Sequence, residues 1–537
     1  MRADRLSTLT IGYLFTPVLL FAGTWFRPVL ALPALLLLCG GVWLLCREAE
    51  ALPAPDRPLT QSERLAWLAA TLFFTGISGI GAWVGQLSDY DKHNLLFNDL
   101  IRQPWPVRYA NPQRAATPWL CYYVAYYLPT AALMKVLPLR LADFVSTGWG
   151  LLGIGLALRW AIRLLSPSPY RLPAAALLLL LAGIDIPYRF GPALFIEHHG
   201  NWNAWWEALL AGRASQYSQY VPPRYFFSGG HWEHSLSAVP LIDQLQQTPQ
   251  HALPGWLAVG LWRTRQTYGQ HPAGLLFIGT ALLLWSPFVA LGLALLAVLD
   301  CPALLRPLAW LHRVYTPSAL LLLFLLGGYL LAHTPIAYAG PITDAWQTPA
   351  DGLLQAGYLL LNYGLPAGLL CWLSRYLPDG RPWARLAGRS ALAIALLSSI
   401  YVGVFNDFYM RTIIPAQWLF QLALLAGLLG WLDQRHRDRD HFRWPASRWP
   451  AVRWPARLLT CWLAIGLFMP VRLVGFTLWA LRFPKPIPRS ILNATRIRHE
   501  ADLSHLTADP HDPKADYASQ YLGKRDSFAS RYLLRQP

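Results

Sequence analysis

The chain has 537 residues, of which 55% are hydrophobic and 14% charged, whereas soluble domains carry roughly 25% charged residues. Apolar runs of about 17–23 residues recur along the chain, and because that length spans a bilayer as a helix, they exclude a water-soluble globular fold. The net charge of +17 lies mostly in short loops between these runs, which favours anionic lipid headgroups as partners and argues against nucleic-acid binding.

The apolar runs predict an all-α polytopic membrane protein with about 13 transmembrane helices. Over 273–300 the pattern fits either one long helix or two short helices broken at Ser286-Pro287. The stretch 119–137 holds four tyrosines and a proline, which suit an interfacial helix lying along the membrane better than a span. The predicted spans lie at 9–26, 29–46, 65–85, 142–162, 172–188, 252–263, 273–300, 314–332, 352–374, 390–405, 416–432 and 458–480.

Basic residues orient these spans, because cytoplasmic loops carry an excess of lysine and arginine. With Arg2 and Arg5 inside, the third span ends outside, so residues 86–118 face the periplasm of a bacterial inner membrane. Residues 1–480 then form a transmembrane domain, and 481–537 form a short periplasmic tail that either folds back or is disordered. The other predicted outer loops are 190–250, 333–351 and 406–415.

A basic cytoplasmic loop is predicted at 433–457. It repeats Arg-Trp-Pro-Ala from Arg443, Arg448 and Arg453. Proline interrupts regular helices, and tryptophan with arginine suits anchoring at lipid headgroups. We therefore expect irregular backbone that lies at the membrane interface.

The polar stretch from Ser88 to Asn94 follows the third apolar run directly. It contains Asp89, Asp91, Lys92 and His93, and ionisable residues close to membrane depth mark functional sites. On a helix, Asp89, Lys92 and His93 would share one face, whereas on an extended chain the two aspartates would share one side. Either arrangement offers a carboxylate as general base and a cation for an anionic leaving group. The structural alternative is that Asp89 caps a helix and pairs with Lys92.

Further candidates for binding lie in the predicted outer loops. Cationic side chains bind anionic groups, and aromatic rings stack on the C–H faces of sugars, so both residue types are candidates there. The candidates for donor phosphate are Lys92, Arg102 and Arg411, and those for substrate are His93, Glu197, His198, Trp205, His231 and Asp407. Adjacent histidines do not easily share one metal and no His-Glu-x-x-His pattern occurs, so no metal ligand is assigned. The cofactor is unknown, and a divalent cation has no firm site in the sequence.

The architecture resembles the GT-C superfamily of glycosyltransferases, which includes protein O-mannosyltransferases, the lipid A aminoarabinose transferase and bacterial RgtA-like enzymes. The resemblance comprises an outer loop with the acidic pair Asp89-Tyr-Asp91 after a spanning helix, a tyrosine-rich segment and about a dozen further spans. It implies a polyprenyl-phosphate sugar donor, inverting transfer at the outer face to a lipid, glycan or protein of the cell envelope, and Asp89 or Asp91 as base. Two helices precede the helix that leads into the loop, whereas in the family the first helix usually leads into it directly.

Two other functions fit the same outer-face clusters. A transporter or flippase for a lipid-linked glycan would need ionisable residues deep in the spans and repeated halves, and the sequence offers few of the former and none of the latter. A ligase of preassembled glycans would share the proposed chemistry and differ in the size of its product. The sequence identifies neither the sugar nor the acceptor.

Overall fold

The protein is mostly α-helical, which confirms the predicted all-α class. The chain divides into two units, the first formed by Met1–Leu164, Gln244–Pro335 and Gly475–Pro537, and the second by Leu165–Asp243 and Ile336–Val474. The computed structural model describes residues 4–52, 58–86, 89–110, 118–183, 203, 240–333, 339–345, 349–377, 380–402, 406–441, 449–480, 489–498, 500–506, 518, 521–524 and 526–535.

The helices and strands of these residues are as follows. The helices are α1 (Arg5–Trp25), α2 (Pro28–Glu50), α3 (Gln61–Ile77), α4 (Asp89–Arg102), α5 (Leu128–Met134), α6 (Ala142–Leu164), α7 (Arg171–Leu179), α8 (Leu241–Gln247), α9 (Pro249–Thr267), α10 (Ala273–Trp285), α11 (Pro287–Asp300), α12 (Tyr315–Leu330), α13 (Pro349–Leu359), α14 (Leu365–Ser374), α15 (Gly380–Leu397), α16 (Asp407–Thr412), α17 (Ile414–His441), α18 (Trp449–Gly466), α19 (Phe468–Ala480) and α20 (Ala494–Arg498). The strands are β1 (Trp119–Leu120), β2 (Ala339–Pro341), β3 (Ile400–Val402) and β4 (Leu522–Gly523).

Several helices can cross a membrane. Within the described residues, length and apolar composition qualify five segments: Arg5–Trp25, Pro28–Glu50, Leu139–Leu164, Gln355–Ser374 and Ile414–His436. Helices α10, α11 and α12 are equally apolar in character but shorter, with 13, 14 and 16 residues. The membrane class is therefore supported, while the count of about 13 spans stays a prediction.

The outward face of α2 supports the membrane class independently. Val29, Leu32 and Leu36 recur at helical spacing along this helix and are all exposed. A row of exposed apolar side chains would be unfavourable in water, whereas lipid tails solvate it. The opposite face of α2 packs on its neighbours, where Gly41 leaves space for the Phe277 ring of α10.

Some predicted helix boundaries are corrected by the structure. The third apolar run ends as a helix at Ile77, not at 85, because Gly79 and Gly81 adopt left-handed backbone with φ of +83° and +73°. The break at Ser286-Pro287 is confirmed, and the Ser286 hydroxyl accepts a hydrogen bond from the Val289 amide at 3.2 Å to cap α11. Helix α9 is longer than the predicted span, and α15 begins earlier than predicted and ends at Leu397, before β3.

The prediction of an interfacial helix over 119–137 is wrong over most of its length. Only Leu128–Met134 is helical, and Trp119 and Leu120 form a strand instead. The four tyrosines lie between these elements and are buried in the protein, so they do not form an exposed aromatic belt. Their rings pack against Phe97 of α4, His251 of α9 and Tyr521 of the tail.

The expected irregular backbone in the basic loop is also corrected in part. Helix α17 continues to His441, and α18 begins at Trp449 and includes Pro455. A proline inside a helix removes one backbone hydrogen bond, and the helix tolerates that loss here. The loop between the two helices is therefore shorter than predicted, and residues 442–448 lie outside the described residues.

The tail after the last helix folds back onto the first unit. Strand β4 pairs antiparallel with β1, and the Arg535 amide donates to the Trp25 carbonyl at 2.8 Å. The Arg27 amide likewise donates to the Leu533 carbonyl at 2.9 Å. Of the two alternatives for the tail, the described residues therefore support the folded one.

Candidate active site at the start of the fourth helix

The acidic pair lies in the first turn of α4, which begins at Asp89. Carboxylates are favourable there because the unpaired amides of a helix N-terminus carry partial positive charge. The helical alternative for this stretch is thus confirmed, although α4 is a separate helix and not a continuation of α3. The Lys92 ammonium lies 3.1 Å from a carboxylate oxygen of Asp89, one turn along the same face.

Asp91 points away from that pair and meets a residue of the C-terminal tail. The Arg489 Nε lies 3.1 Å from Asp91 Oδ1, and Arg489 Nη1 donates to the Gln86 carbonyl at 2.7 Å. The Asp91 side chain is 10% exposed, compared with 32% for Asp89. The two carboxylates therefore differ in role: solvent reaches Asp89 more readily, and Asp91 is enclosed with its own cation.

A set of buried hydrogen bonds fastens the start of α4 to the turn after α3. Gln86 Nε2 donates to the Gly79 carbonyl at 2.8 Å, and its Oε1 accepts from Asn94 Nδ2 at 2.8 Å. The Tyr90 hydroxyl donates to the Ser78 carbonyl at 3.0 Å. Because buried polar groups are costly to leave unpaired, these bonds define one position for the acidic turn.

His93 is held on both sides by the protein. Its Nδ1 lies 2.6 Å from the Tyr127 hydroxyl and its Nε2 lies 2.9 Å from the Gln247 carbonyl oxygen. A carbonyl oxygen only accepts, so Nε2 carries a proton, and in the neutral ring Nδ1 accepts from Tyr127. The ring is 2% exposed. These contacts hold α4 against α8, and the substrate-binding role of His93 stays a prediction.

A third carboxylate of α4, Asp99, is buried beneath the tail. Its Oδ2 accepts from the Leu503 amide at 2.9 Å and from the Tyr109 hydroxyl at 3.1 Å. Burial raises the pKa of Asp99 from 3.8 to about 7, the Leu503 hydrogen bond opposes that rise, and the nearby Asp502 charge adds to it. Asp99 therefore changes charge close to neutral pH.

The pKa of Asp99 predicts a pH-dependent stability. The folded protein retains a proton that the unfolded chain releases above the ordinary pKa, so stability falls as the pH rises from about 4 to about 7 and is level above that. Asp99→Asn, whose amide oxygen still accepts both hydrogen bonds, should flatten this slope. Thermal unfolding of the detergent-solubilised protein at successive pH values measures it, and equal slopes in both proteins would contradict the prediction.

The second unit contains the other described pair of predicted site residues. Arg411 Nη2 lies 2.8 Å from Asp407 Oδ1, one turn away on the short helix α16. Asn406 precedes this helix with left-handed backbone at φ +49°. Asp407 and Arg411 thus pair with each other within the second unit, and the predicted link between Arg411 and the acidic pair of α4 stays a prediction.

The remaining predicted residues are placed as follows. Arg102 ends α4, and thirteen residues of helix rise separate it from Asp89 by about 20 Å. Arg102 therefore lies too far from the acidic turn to share a phosphate with it. Four residues that were predicted to bind substrate lie outside the described part of the chain: Glu197, His198, Trp205 and His231.

The described residues contain no cluster of metal ligands. No group of three or more of their histidine, cysteine, aspartate or glutamate side chains lies close enough together to hold a metal ion. The acidic turn of α4 instead has cationic neighbours, Lys92 and Arg489. Nitrogen cations of this kind neutralise carboxylates and bind anions.

The arrangement at α4 can perform two chemical tasks together. Asp89, the carboxylate that solvent reaches, can accept a proton, and the cations beside the two carboxylates, Lys92 at Asp89 and Arg489 at Asp91, can attract a developing negative charge. Sequence reasoning missed Arg489 and Gln86, which contact the acidic turn from outside α4. No protein-family model, curated protein or solved structure matches the chain.

Proposed function

We propose that this protein is a membrane glycosyltransferase that moves a sugar from a polyprenyl-phosphate-linked donor to an acceptor of the cell envelope. The observation that carries the proposal is the acidic first turn of α4, where two carboxylates lie beside two cations in a protein whose described part has five helices long and apolar enough to cross a membrane. Ionisable residues next to apolar spans are costly and mark functional sites. The resemblance to the GT-C superfamily also depends on the helical architecture and on this acidic pair.

Asp89 acts as the general base in the proposed reaction. It takes the proton of the acceptor hydroxyl while that oxygen bonds to the anomeric carbon of the sugar. The bond from the anomeric carbon to the phosphate oxygen breaks, and its electron pair leaves with the polyprenyl phosphate. Attack from the face opposite the leaving group inverts the anomeric configuration.

Exposure favours Asp89 over Asp91 as the base. An acceptor hydroxyl must approach the carboxylate within hydrogen-bond distance, and the Asp89 side chain is the more exposed of the two. Lys92, one turn from Asp89, is placed to neutralise it before the reaction and to face the phosphate once Asp89 is protonated. Asp91 then serves as a positioning residue through its ion pair.

The proposed site faces the periplasm of a bacterial inner membrane, as the distribution of arginines predicts. Nucleotide sugars are made in the cytosol and would not reach that face, so the donor is lipid-linked. The acceptor is a lipid, glycan or protein of the envelope, and anionic membrane lipids contact the basic inner loops. None of the described residues is proposed as a ligand of a divalent cation.

Label transfer in liposomes tests the proposal. The purified protein, reconstituted and supplied with polyprenyl phosphate carrying a radiolabelled hexose or pentose, should pass the label covalently to envelope lipid or glycan fractions. Movement of the labelled lipid across the bilayer without any covalent product would contradict the proposal and favour a transporter. Transfer of preassembled chains, seen as a large product on a gel, would favour a ligase over a transferase of single sugars.

A further inference from the structure

We infer that Arg489, in the tail after the last helix, binds the phosphate of the lipid-linked donor beside Asp91. The inference rests on the proposed function and extends it to a residue that lies outside the transmembrane domain predicted from sequence. It identifies a lipid phosphate as the ligand of this site. Four features support this role: the donors of the Arg489 guanidinium, the exposure of the side chain, the contacts that hold the start of the tail, and the charges of the acidic turn.

The guanidinium has hydrogen-bond donors to spare. Arginine offers five N–H donors in a planar fork; Arg489 donates from Nη1 to the Gln86 carbonyl, and its Nε lies 3.1 Å from Asp91 Oδ1 as an ion pair. Its Nη2 makes no hydrogen bond to any part of the chain that the structure describes. The outer edge of the fork therefore remains available, and that edge matches two phosphate oxygens.

Exposure makes this edge reachable. The Arg489 side chain is 27% exposed, whereas its partner Asp91 is 10% exposed. A guanidinium that served only to neutralise Asp91 could be enclosed together with it, because enclosure strengthens the attraction between the two charges. Here one side of the cation meets the carboxylate and the other side is open, as a ligand-binding cation requires.

Backbone contacts hold Arg489 in this place. Two residues further along, the Ile491 amide donates to an Asp143 carboxylate oxygen at 3.1 Å, and the Ile491 carbonyl accepts from Asn98 Nδ2 at 3.2 Å. Asn98 belongs to α4 and Asp143 to α6, so both helices fasten the start of the tail. The arginine is preorganised, which lowers the entropy cost of binding.

The charge balance of the turn matches the proposed reaction. Asp89 and Asp91 carry two negative charges, and Lys92 and Arg489 carry two positive charges, before any substrate binds. When Asp89 takes the acceptor proton, Lys92 no longer faces a charged carboxylate. At the same step the leaving phosphate gains negative charge, which Lys92 and Arg489 attract.

A short prenyl phosphate, farnesyl phosphate, is the probe for this inference. Its affinity for the purified full-length protein in detergent can be measured by titration calorimetry. Arg489→Gln should weaken binding by about tenfold to a hundredfold, the effect of losing a hydrogen bond to a charged group. Arg489→Lys, which keeps the charge but loses the fork, should lie between the variant and the wild type. Arg496→Gln, at an exposed arginine of the same segment, is the matched control and should bind normally.

A second pair of variants separates phosphate binding from mere neutralisation of Asp91. Farnesyl phosphate should bind more weakly to the Asp91→Asn/Arg489→Gln protein than to the Asp91→Asn protein, because the phosphate contact persists without Asp91. Equal affinities would overturn the inference, as would wild-type affinity in Arg489→Lys and Arg489→Gln. This pair still tests the inference if Arg489→Gln alone does not fold, because neither of these proteins leaves a buried charge without its partner.

The binding assay is independent of sugar transfer. Arg489-dependent binding of farnesyl phosphate in a protein that transfers no labelled sugar would contradict the proposed transferase and keep the phosphate site. Sugar transfer by a protein whose Arg489→Gln variant binds farnesyl phosphate normally would contradict the site and keep the transferase. The two proposals can therefore fail separately.

Discussion

Replacing Asp89 by asparagine is expected to lower the rate of sugar transfer by about 10²–10⁴-fold, the usual contribution of a general base. Asparagine has nearly the same shape as aspartate, but it is uncharged and cannot take the acceptor proton. The donor KM should change little, because Asp89 acts on the acceptor. Initial rates of label transfer in liposomes at saturating donor measure the effect.

Two further variants make this prediction specific. Asp526→Asn is the matched control, because the Asp526 side chain is 84% exposed and pairs with an exposed arginine, a contact that is worth little. Asp91→Asn should lower the rate less than Asp89→Asn, because Asp91 acts through its ion pair with Arg489 and does not take the acceptor proton. Full transfer activity in both Asp89→Asn and Asp91→Asn would show that neither carboxylate is the base.

Local patterns predicted the acidic turn only in part. The spacing of Asp89 and Lys92 fits neighbours on a helix face, but the same residues fit an extended chain. The structure favours the helix because Tyr90 and Asn94, four residues apart, both bond to groups of the preceding turn. These partners, Ser78 and Gln86, lie outside the polar stretch from Ser88 to Asn94. The sequence of the stretch alone therefore could not distinguish a helix from an extended chain.

The early end of α3 shows a signal that hydropathy obscured. Apolar residues continue beyond Ile77, and a window of average hydropathy therefore extends the span to 85. Gly79 and Gly81 lie within that extension, and glycine just after a helix commonly takes the left-handed conformation that ends it. The two glycines were therefore the signal in the sequence that α3 ends at Ile77.

The ion pair of Asp91 could not be predicted from local sequence. Arg489 and the Gln86 carbonyl that it binds are 403 positions apart, and no periodicity links such residues. The buried tyrosines have a similar cause: aromatic residues suit a membrane interface, but here contacts with distant parts of the chain, such as Phe97, His251 and Tyr521, enclose them. Both missed features depend on contacts between residues far apart in the sequence.

Removing the tail is expected to unfold the first unit or to lower its unfolding temperature strongly. A chain that ends before Arg489 loses Ile491, Leu503, Leu522 and Leu533, which are all buried. Outside the membrane spans, each such side chain contributes about 1.5–3 kcal/mol by leaving water. Strand β1 would also lose its partner, and the amide and carbonyl groups that β4 now pairs would have none.

A graded version of this prediction compares two adjacent residues near the end of the tail. Leu533 is 2% exposed and Tyr532 is 59% exposed. Leu533→Ala should destabilise the protein by about 2–5 kcal/mol, because it leaves a cavity, whereas Tyr532→Ala should have little effect. Size-exclusion chromatography and thermal unfolding in detergent measure both variants and the truncated chain. A truncated protein that stays monodisperse and unfolds at the wild-type temperature would show that the tail, and with it Arg489, is not a structural part of the first unit.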